Sequence, residues 1–159
     1  MVKENQRFWN EKRQSEAKAL GLSPTEVYIL ASIVAKESNK TEEQDRIAGV
    51  YLNRLNTDGW KLEADPTVVY AWQDFTIRRV LNSHCEIDSP YNTYKYKGLP
   101  PGPICIPPIA TIDKTLNAEK HDYMFFCAKP DRSGYHAFAK TIEAHNLNAA
   151  KYRKTLRRN

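Results

Sequence analysis

The sequence predicts an α+β fold: a mostly helical single domain with a small antiparallel sheet near residues 123–139 and a long proline-rich loop. Three observations carry this. Apolar residues at helical spacing, each set behind a start signal, fill residues 23–55, and a further helical stretch closes the chain. Two short aromatic-rich runs, 123–128 and 135–139, flank the turn-forming segment Pro130-Asp131-Arg132-Ser133-Gly134. Six of the nine prolines fall within residues 89–108, where neither period can continue. The length of 159 residues is that of one domain.

The elements follow in order. Residues 3–20 are highly charged, with Phe8, Trp9 and Leu20 as the main apolar points, and read as a surface helix ending at Gly21. Ser23-Pro24-Thr25-Glu26 is a helix start. Ser23 can cap, Pro24 suits the first helical position, and Glu26 closes a capping box. That helix runs to about Ser38. Thr41-Glu42-Glu43-Gln44 repeats the box, and Ile47, Ala48, Tyr51, Leu52 and Leu55 form the apolar face behind it. Asn56-Thr57-Asp58-Gly59 ends it. Asp65-Pro66 predicts a cap and a short helix through Val68, Val69 and Tyr70, and residues 76–83 a further helix. Residues 89–108 are a loop whose length points to a function. Residues 123–128 read as a buried strand, 135–139 as its partner, and 141–157 as the last helix.

Composition narrows the function. Hydrophobic residues are 41% of the chain, enough for one core and too many for disorder. The longest apolar stretch, residues 27–35, is nine residues including a serine, well short of the ~20 a membrane span needs. No signal peptide is visible. Cys85, Cys105 and Cys127 are an odd number without C-x-x-C spacing, and the histidines lack H-x-x-x-H, so neither a metal nor another cofactor is expected. The net charge is +5. The run 151–159 holds Lys151, Arg153, Lys154, Arg157 and Arg158 without an acid, which equals that excess and reads as a solvated helix face. A basic domain could bind nucleic acid, but no nucleic-acid motif is present and no such partner is expected.

Glu37 is the first chemical signal. Leu30, Ile33 and Val34 precede it by seven, four and three residues, so it shares a stripe with three large aliphatics. A carboxylate there is desolvated, which raises its pKa and keeps it protonated closer to neutral pH. A general acid needs that. A last-turn glutamate reaching solvent is the alternative.

Around Glu37 the chain reads Ile29-Leu30-Ala31-Ser32-Ile33-Val34-Ala35-Lys36-Glu37-Ser38. Then come Ile47-Ala48-Gly49-Val50-Tyr51-Leu52-Asn53-Arg54-Leu55 and Leu62-Glu63-Ala64-Asp65-Pro66-Thr67-Val68-Val69-Tyr70. Ser89-Pro90-Tyr91-Asn92-Thr93-Tyr94, Gly98-Leu99-Pro100-Pro101-Gly102-Pro103-Ile104, His136-Ala137-Phe138 and His145-Asn146 complete the series. In this order and spacing the blocks resemble the catalytic domain of the endolytic murein transglycosylases, the YceG-like family, over roughly residues 22–155.

The resemblance implies an enzyme that cuts peptidoglycan glycan strands between N-acetylmuramic acid and N-acetylglucosamine, without water, leaving 1,6-anhydro ends. It places the catalytic acid at Glu37, in the pair Glu37-Ser38. Residues 1–21 become a helical lead-in and 22–159 the catalytic domain. The membrane helix of family members, and the LysM-like domain many carry, have no counterpart in this sequence. The implied setting is the bacterial envelope, anchored to the cytoplasmic membrane with the catalytic domain outside the cytoplasm. Glycan strands are the partner, with other cell-wall synthesis proteins as further ones.

Candidate substrate-binding residues follow. Tyr91, Asn92, Thr93 and Tyr94 suit a sugar groove, because tyrosine rings pack on sugar faces and amides and hydroxyls bond the rims. Asn92 or Tyr94 would orient the acetamido group. Pro101 belongs to a rigid wall at 98–108. Glu63, where the family often has glutamine, Asp65 and Thr67 lie near the cleft, with a helix cap as the other reading of Asp65-Pro66-Thr67. His136 sits on a strand, and His145 is expected to make a structural polar contact. A glycan-binding module with an idle Glu37 is the competing function, since Ala35 stands where the family often has glutamate.

Overall fold

The computed structural model describes residues 2–157. Two short helices open the chain, α1 (Val2–Phe8) and α2 (Glu11–Ala19), where one was expected. The break lies at Trp9-Asn10. The Asn10 side chain accepts from the Arg13 backbone N–H at 2.9 Å and starts a new helix. Arg13 then reaches across the sequence to Asp113 at 2.9 Å and fixes this lead-in to the body of the fold.

Helix α3 (Pro24–Glu37) has the full capping box between Ser23 and Glu26. Helix α4 (Thr41–Leu55) does not repeat it. Its N-cap is Lys40, with no side-chain cap. Gln44, the expected box partner of Thr41, turns away: its Nε2 donates to the Ser38 carbonyl at 2.8 Å and its Oε1 accepts from Thr111 at 2.9 Å.

The main core lies between these two helices, where Leu30, Ile33 and Val34 meet Ile47, Ala48 and Tyr51. Helix α6 (Ile109–Leu116), absent from the sequence reading, closes a second cluster with Ile112 and Leu116 against Ala17, Val27 and Ala31. Its signal is weak because half its buried face is threonine. Thr111 donates to Gln44 at 2.9 Å and Thr115 to the Thr111 carbonyl at 2.9 Å, so both hydroxyls are satisfied inside.

Helix α5 (Asp65–Trp72) ends at Gln73, which turns left-handed at φ 54°. The helix expected at 76–83 is not formed. Asp74 accepts from the Thr76 backbone N–H at 3.1 Å, and Leu81 N–H donates to His84 Nδ1 at 2.9 Å. Such local side-chain bonds compete with the helical ladder. Only a single 3₁₀ turn follows, at His84–Glu86. The proline-rich loop then returns to α3, where the buried Ile104 N–H donates to Ser32 Oγ at 3.1 Å.

Strands β1 (Phe125–Ala128) and β2 (His136–Ala139) pair antiparallel, Phe125 opposite Ala139 and Ala128 opposite His136. Both are shorter than expected, and β1 is half-exposed rather than buried. Two strands alone cannot bury their faces. Helix α7 (Ile142–Arg157) packs on this ribbon. Arg158 and Asn159, the end of the basic run, lie outside the described residues. Among the described residues no helix is long and apolar enough to cross a membrane.

Candidate active site

Two hollows meet at the end of α3. One, of about 580 Å³, lies along α5 and residues 75–80. The other, of about 500 Å³, lies between α4 and the hairpin with α7. Glu37, Asp65 and Tyr152 line both. Together they make a groove that passes Glu37 in either direction.

Glu37 is the last residue of α3 and only partly exposed. Burial pushes its pKa up to about 7. The Tyr51 hydroxyl, which donates to Glu37 Oε1, and the charge of Arg54 oppose that rise, while the charge of Asp65 adds to it. Tyr51 comes from the buried face of α4, with its ring edge-on to Phe126 at 5.7 Å. Burial and the neighbouring Glu37 hold its own hydroxyl well above the usual range, so it stays a donor. Arg54, one turn on, is buried and committed elsewhere. Its Nε donates to the Met124 carbonyl at 2.9 Å and its Nη1 to the Leu62 carbonyl at 2.5 Å.

Asp65 is not a helix cap. The N-cap of α5 is Ala64 and makes no side-chain bond, while Asp65 accepts from the Tyr94 hydroxyl at the groove surface. Burial raises the Asp65 pKa, which Tyr94 and Arg54 hold down in part. Glu63 is exposed at φ 49° and lines the second hollow with Tyr94. The structure thus brings Glu37, Glu63, Asp65, Tyr94 and His136 to one groove.

It does not bring the rest. Thr67, Asn92 and Thr93 are fully buried. Asn92 Nδ2 donates to the Cys85 and Ile87 carbonyls, both at 2.8 Å, and its Oδ1 accepts from Tyr94 N–H at 3.0 Å. No part of that amide is left for an acetamido group. Thr67 and Thr93 bond each other at 2.8 Å, and Thr93 Oγ1 accepts from Ala64 N–H at 2.9 Å. All three hold the loop beneath the groove instead of facing it. Tyr91 stands behind Tyr70, with ring centroids 4.7 Å apart, and borders neither hollow. Pro101 is exposed and also borders neither; of the wall expected at 98–108 only Ile104 reaches the groove.

His136 is held by Glu43, from the first turn of α4. Its backbone N–H donates to Glu43 Oε1 at 2.9 Å and its Nδ1 lies 2.5 Å from Oε2. Ser38 Oγ donates to the same oxygen at 2.8 Å. His145 was expected to make a structural polar contact; its ring stacks on Phe125 at 5.1 Å, and its buried Nδ1 has no hydrogen-bond partner among the described residues. Burial lowers its pKa.

Sequence reasoning missed Tyr51, Arg54 and Tyr152 as groove residues. Tyr51 and Arg54 did leave a signal. A buried tyrosine needs a partner for its hydroxyl, and an arginine one turn away on an apolar face needs acceptors. Among the described residues no cluster of three or more His, Cys, Asp or Glu could hold a metal ion.

Residues 1–151 match the model of the YceG-like family. The endolytic murein transglycosylase of Bacillus subtilis (strain 168) is 39% identical over 142 residues, covering 89% of this chain and 38% of that protein. The endolytic murein transglycosylase of Streptococcus pneumoniae serotype 2 (strain D39) is 35% identical over 142 residues, covering 87% of this chain and 25% of that protein. A crystal structure of a yceG-like protein from Listeria monocytogenes superposes with a TM-score of 0.77 at 38% identity, over 86% of this chain and 43% of that one. The chain therefore spans well under half the length of these relatives, and it shares the helical α+β fold.

Proposed function

The chain belongs to the YceG-like family, and from that premise we propose that it is an endolytic lytic transglycosylase of peptidoglycan. The observation that carries the reading is Glu37: a carboxyl at the meeting point of two hollows, with a pKa of about 7. At neutral pH a substantial fraction of such groups holds a proton, and the rest can accept one.

Glu37 protonates the glycosidic oxygen between N-acetylmuramic acid and N-acetylglucosamine as the C1–O bond breaks. Tyr51 bonds Oε1 and leaves Oε2 for this transfer. The Glu37 carboxylate then takes the proton from the C6 hydroxyl, whose oxygen attacks C1 of the same sugar. The bond lost at C1 is replaced by the new ring bond, and no water enters. One carboxyl serves both transfers because the nucleophile comes from the substrate at high effective concentration. Asp65, held by Tyr94, supplies negative charge while C1 is positive. The open groove on both sides of Glu37 supports cleavage inside a strand. The site works in the envelope outside the cytoplasm, held at the cytoplasmic membrane by a segment beyond this sequence.

The test is digestion of purified glycan strands, followed by mass spectrometry over time. Anhydro-ended fragments of mixed length, each lighter by one water than a hydrolysis product, are expected early. Reducing muramic acid ends would mean hydrolysis, with Asp65 as the water-activating base. No cleavage at all would leave a glycan-binding module.

A further inference from the structure

The groove is electrically lopsided. The first hollow carries Lys36, Arg78 and Arg79, all exposed. Among the described residues none of the three forms an ion pair. The second hollow carries Glu63 and Asp65, and its arginine, Arg54, is committed to two carbonyls. The acids that share the first hollow are Glu37 and Asp65. Among the described residues neither forms an ion pair with the three cations, and Asp65 is bonded by Tyr94.

Like charges gathered without a partner are unfavourable, and an anionic ligand removes that cost. The surroundings narrow the anion. Val69, Tyr70, Ile77 and Phe75, the last 66% exposed, lie among the cations. Two guanidiniums set in apolar surface match a chain that alternates methyl groups and carboxylates, since each can grip a carboxylate with two parallel bonds. The segment that carries them is fastened at both ends, by the left-handed turn at Gln73 and by Trp72 Nε1 donating to the His84 carbonyl at 2.8 Å.

We infer that this hollow is a subsite for the carboxylates of the peptide stem on the muramic acid, with Arg78 and Arg79 as its principal contacts and Lys36 adding charge. The inference rests on the transglycosylase reading, because it takes the occupant to be part of the same substrate. It makes the groove directional. The stem lies on the α5 side of Glu37, and the bare sugar faces lie against Phe125, Phe126 and Tyr94.

The test separates binding from turnover. Glu37→Gln protein is titrated with three preparations: strands with free stem carboxylates, the same strands with those carboxylates amidated, and strands stripped of stems. Free-carboxylate strands are expected to bind about tenfold tighter than amidated or stripped ones. Adding Arg78→Gln and Arg79→Gln should bring the three affinities together, whereas Arg78→Lys with Arg79→Lys should keep part of the difference. Equal affinity for free and amidated strands overturns the subsite, as does a difference that survives the glutamine pair. Displacement by inorganic phosphate but not by acetate at equal ionic strength also overturns it, in favour of a phosphate ligand. Turnover by the unsubstituted protein is read separately. Anhydro products without stem discrimination leave the activity and remove the subsite; discrimination in binding without product does the reverse.

Discussion

The two sides of the groove are built differently. The floor, α3 with α4 and α6, buries Leu30, Ile33, Val34 and Ile47 completely. The opposite wall, the β1–β2 ribbon with α7, has Ala139 as its one buried hydrophobic residue among those described. Apolar burial stabilises the floor, at ~25 cal/mol per Å². The wall meets the core through the half-buried Phe126 and Phe138 and is tied to α4 by polar side chains. Arg54 donates to the Met124 carbonyl, Asn53 Nδ2 to the His121 and Tyr123 carbonyls at 2.9 Å each, and Glu43 holds His136. Under the proposed mechanism the proton-transfer group sits on the well-packed side, where burial raises its pKa, and the side that would admit and release a polymer is tethered at a few points.

The largest effect should come from the floor. Glu37→Gln keeps the shape and removes the proton, so cleavage should fall by ~10²–10⁴-fold, the usual worth of a general acid. Stability should not fall with it. The folded-state pKa of Glu37 is raised from 4.5 to about 7, so its protonated form favours folding, and that contribution is lost as pH rises through this window. A tenfold change in proton affinity is ~1.4 kcal/mol. The variant should therefore match the parent near pH 4 and exceed it by at most about 3 kcal/mol above pH 7. Urea melts at several pH values read this directly. A tenth of parental turnover remaining would require another acid.

Arg54→Met cuts the strongest tether between the sides. It leaves the Leu62 and Met124 carbonyls without their charged donor, at a cost of about 2–4 kcal/mol. Chemical denaturation would show the loss. A midpoint unchanged would mean that the wall is held by its apolar contacts after all.

Smaller effects sharpen the electrostatics. Cleavage should decline as pH rises through about 7, where Glu37 loses its proton. The Tyr51 hydroxyl lowers the Glu37 pKa and Asp65 raises it. Tyr51→Phe should therefore move this alkaline limb upward, with about a tenfold loss of rate from the less firmly held carboxyl. Asp65→Asn should move it downward. Shifts of the same sign in both variants would show that the limb belongs to another group.

The smallest change is Asn53→Ala. It removes two bonds to the segment leading into β1, for about 1–2 kcal/mol, and should leave the pH limb in place. Hydrogen exchange confined to residues 121–128 would place the loss in the wall, and exchange spreading into α3 would erase the contrast between the two sides.

Much of the floor was legible in the sequence. Ser23, Pro24 and Glu26 act within one turn of one another, and the stripe of Leu30, Ile33 and Val34 pointed to a desolvated Glu37. The capping box at Thr41 was misread because the Gln44 amide finds other partners, the Ser38 carbonyl and the hydroxyl of Thr111, 67 residues away. Asn92 and Thr93 read as sugar-binding groups, since an amide and a hydroxyl in a loop look the same whether they face a ligand or a buried carbonyl. Helix α6 was invisible because Thr111 and Thr115 pass for surface until Gln44 is brought beside them.

By itself, then, the sequence determined the helices with their own caps and periods, the antiparallel ribbon, the family, and a desolvated carboxyl at the end of α3. Those depend on backbone geometry repeated every few residues. The tertiary structure alone decided which polar side chains work inside the loop and which line the groove, what ties the wall to the floor, and that Tyr51, Arg54 and Asp65 modify the Glu37 pKa that burial raises. Each of these depends on chain segments distant in sequence meeting in space. A polar side chain's role is set by the partner it finds there, a property its own local sequence does not carry.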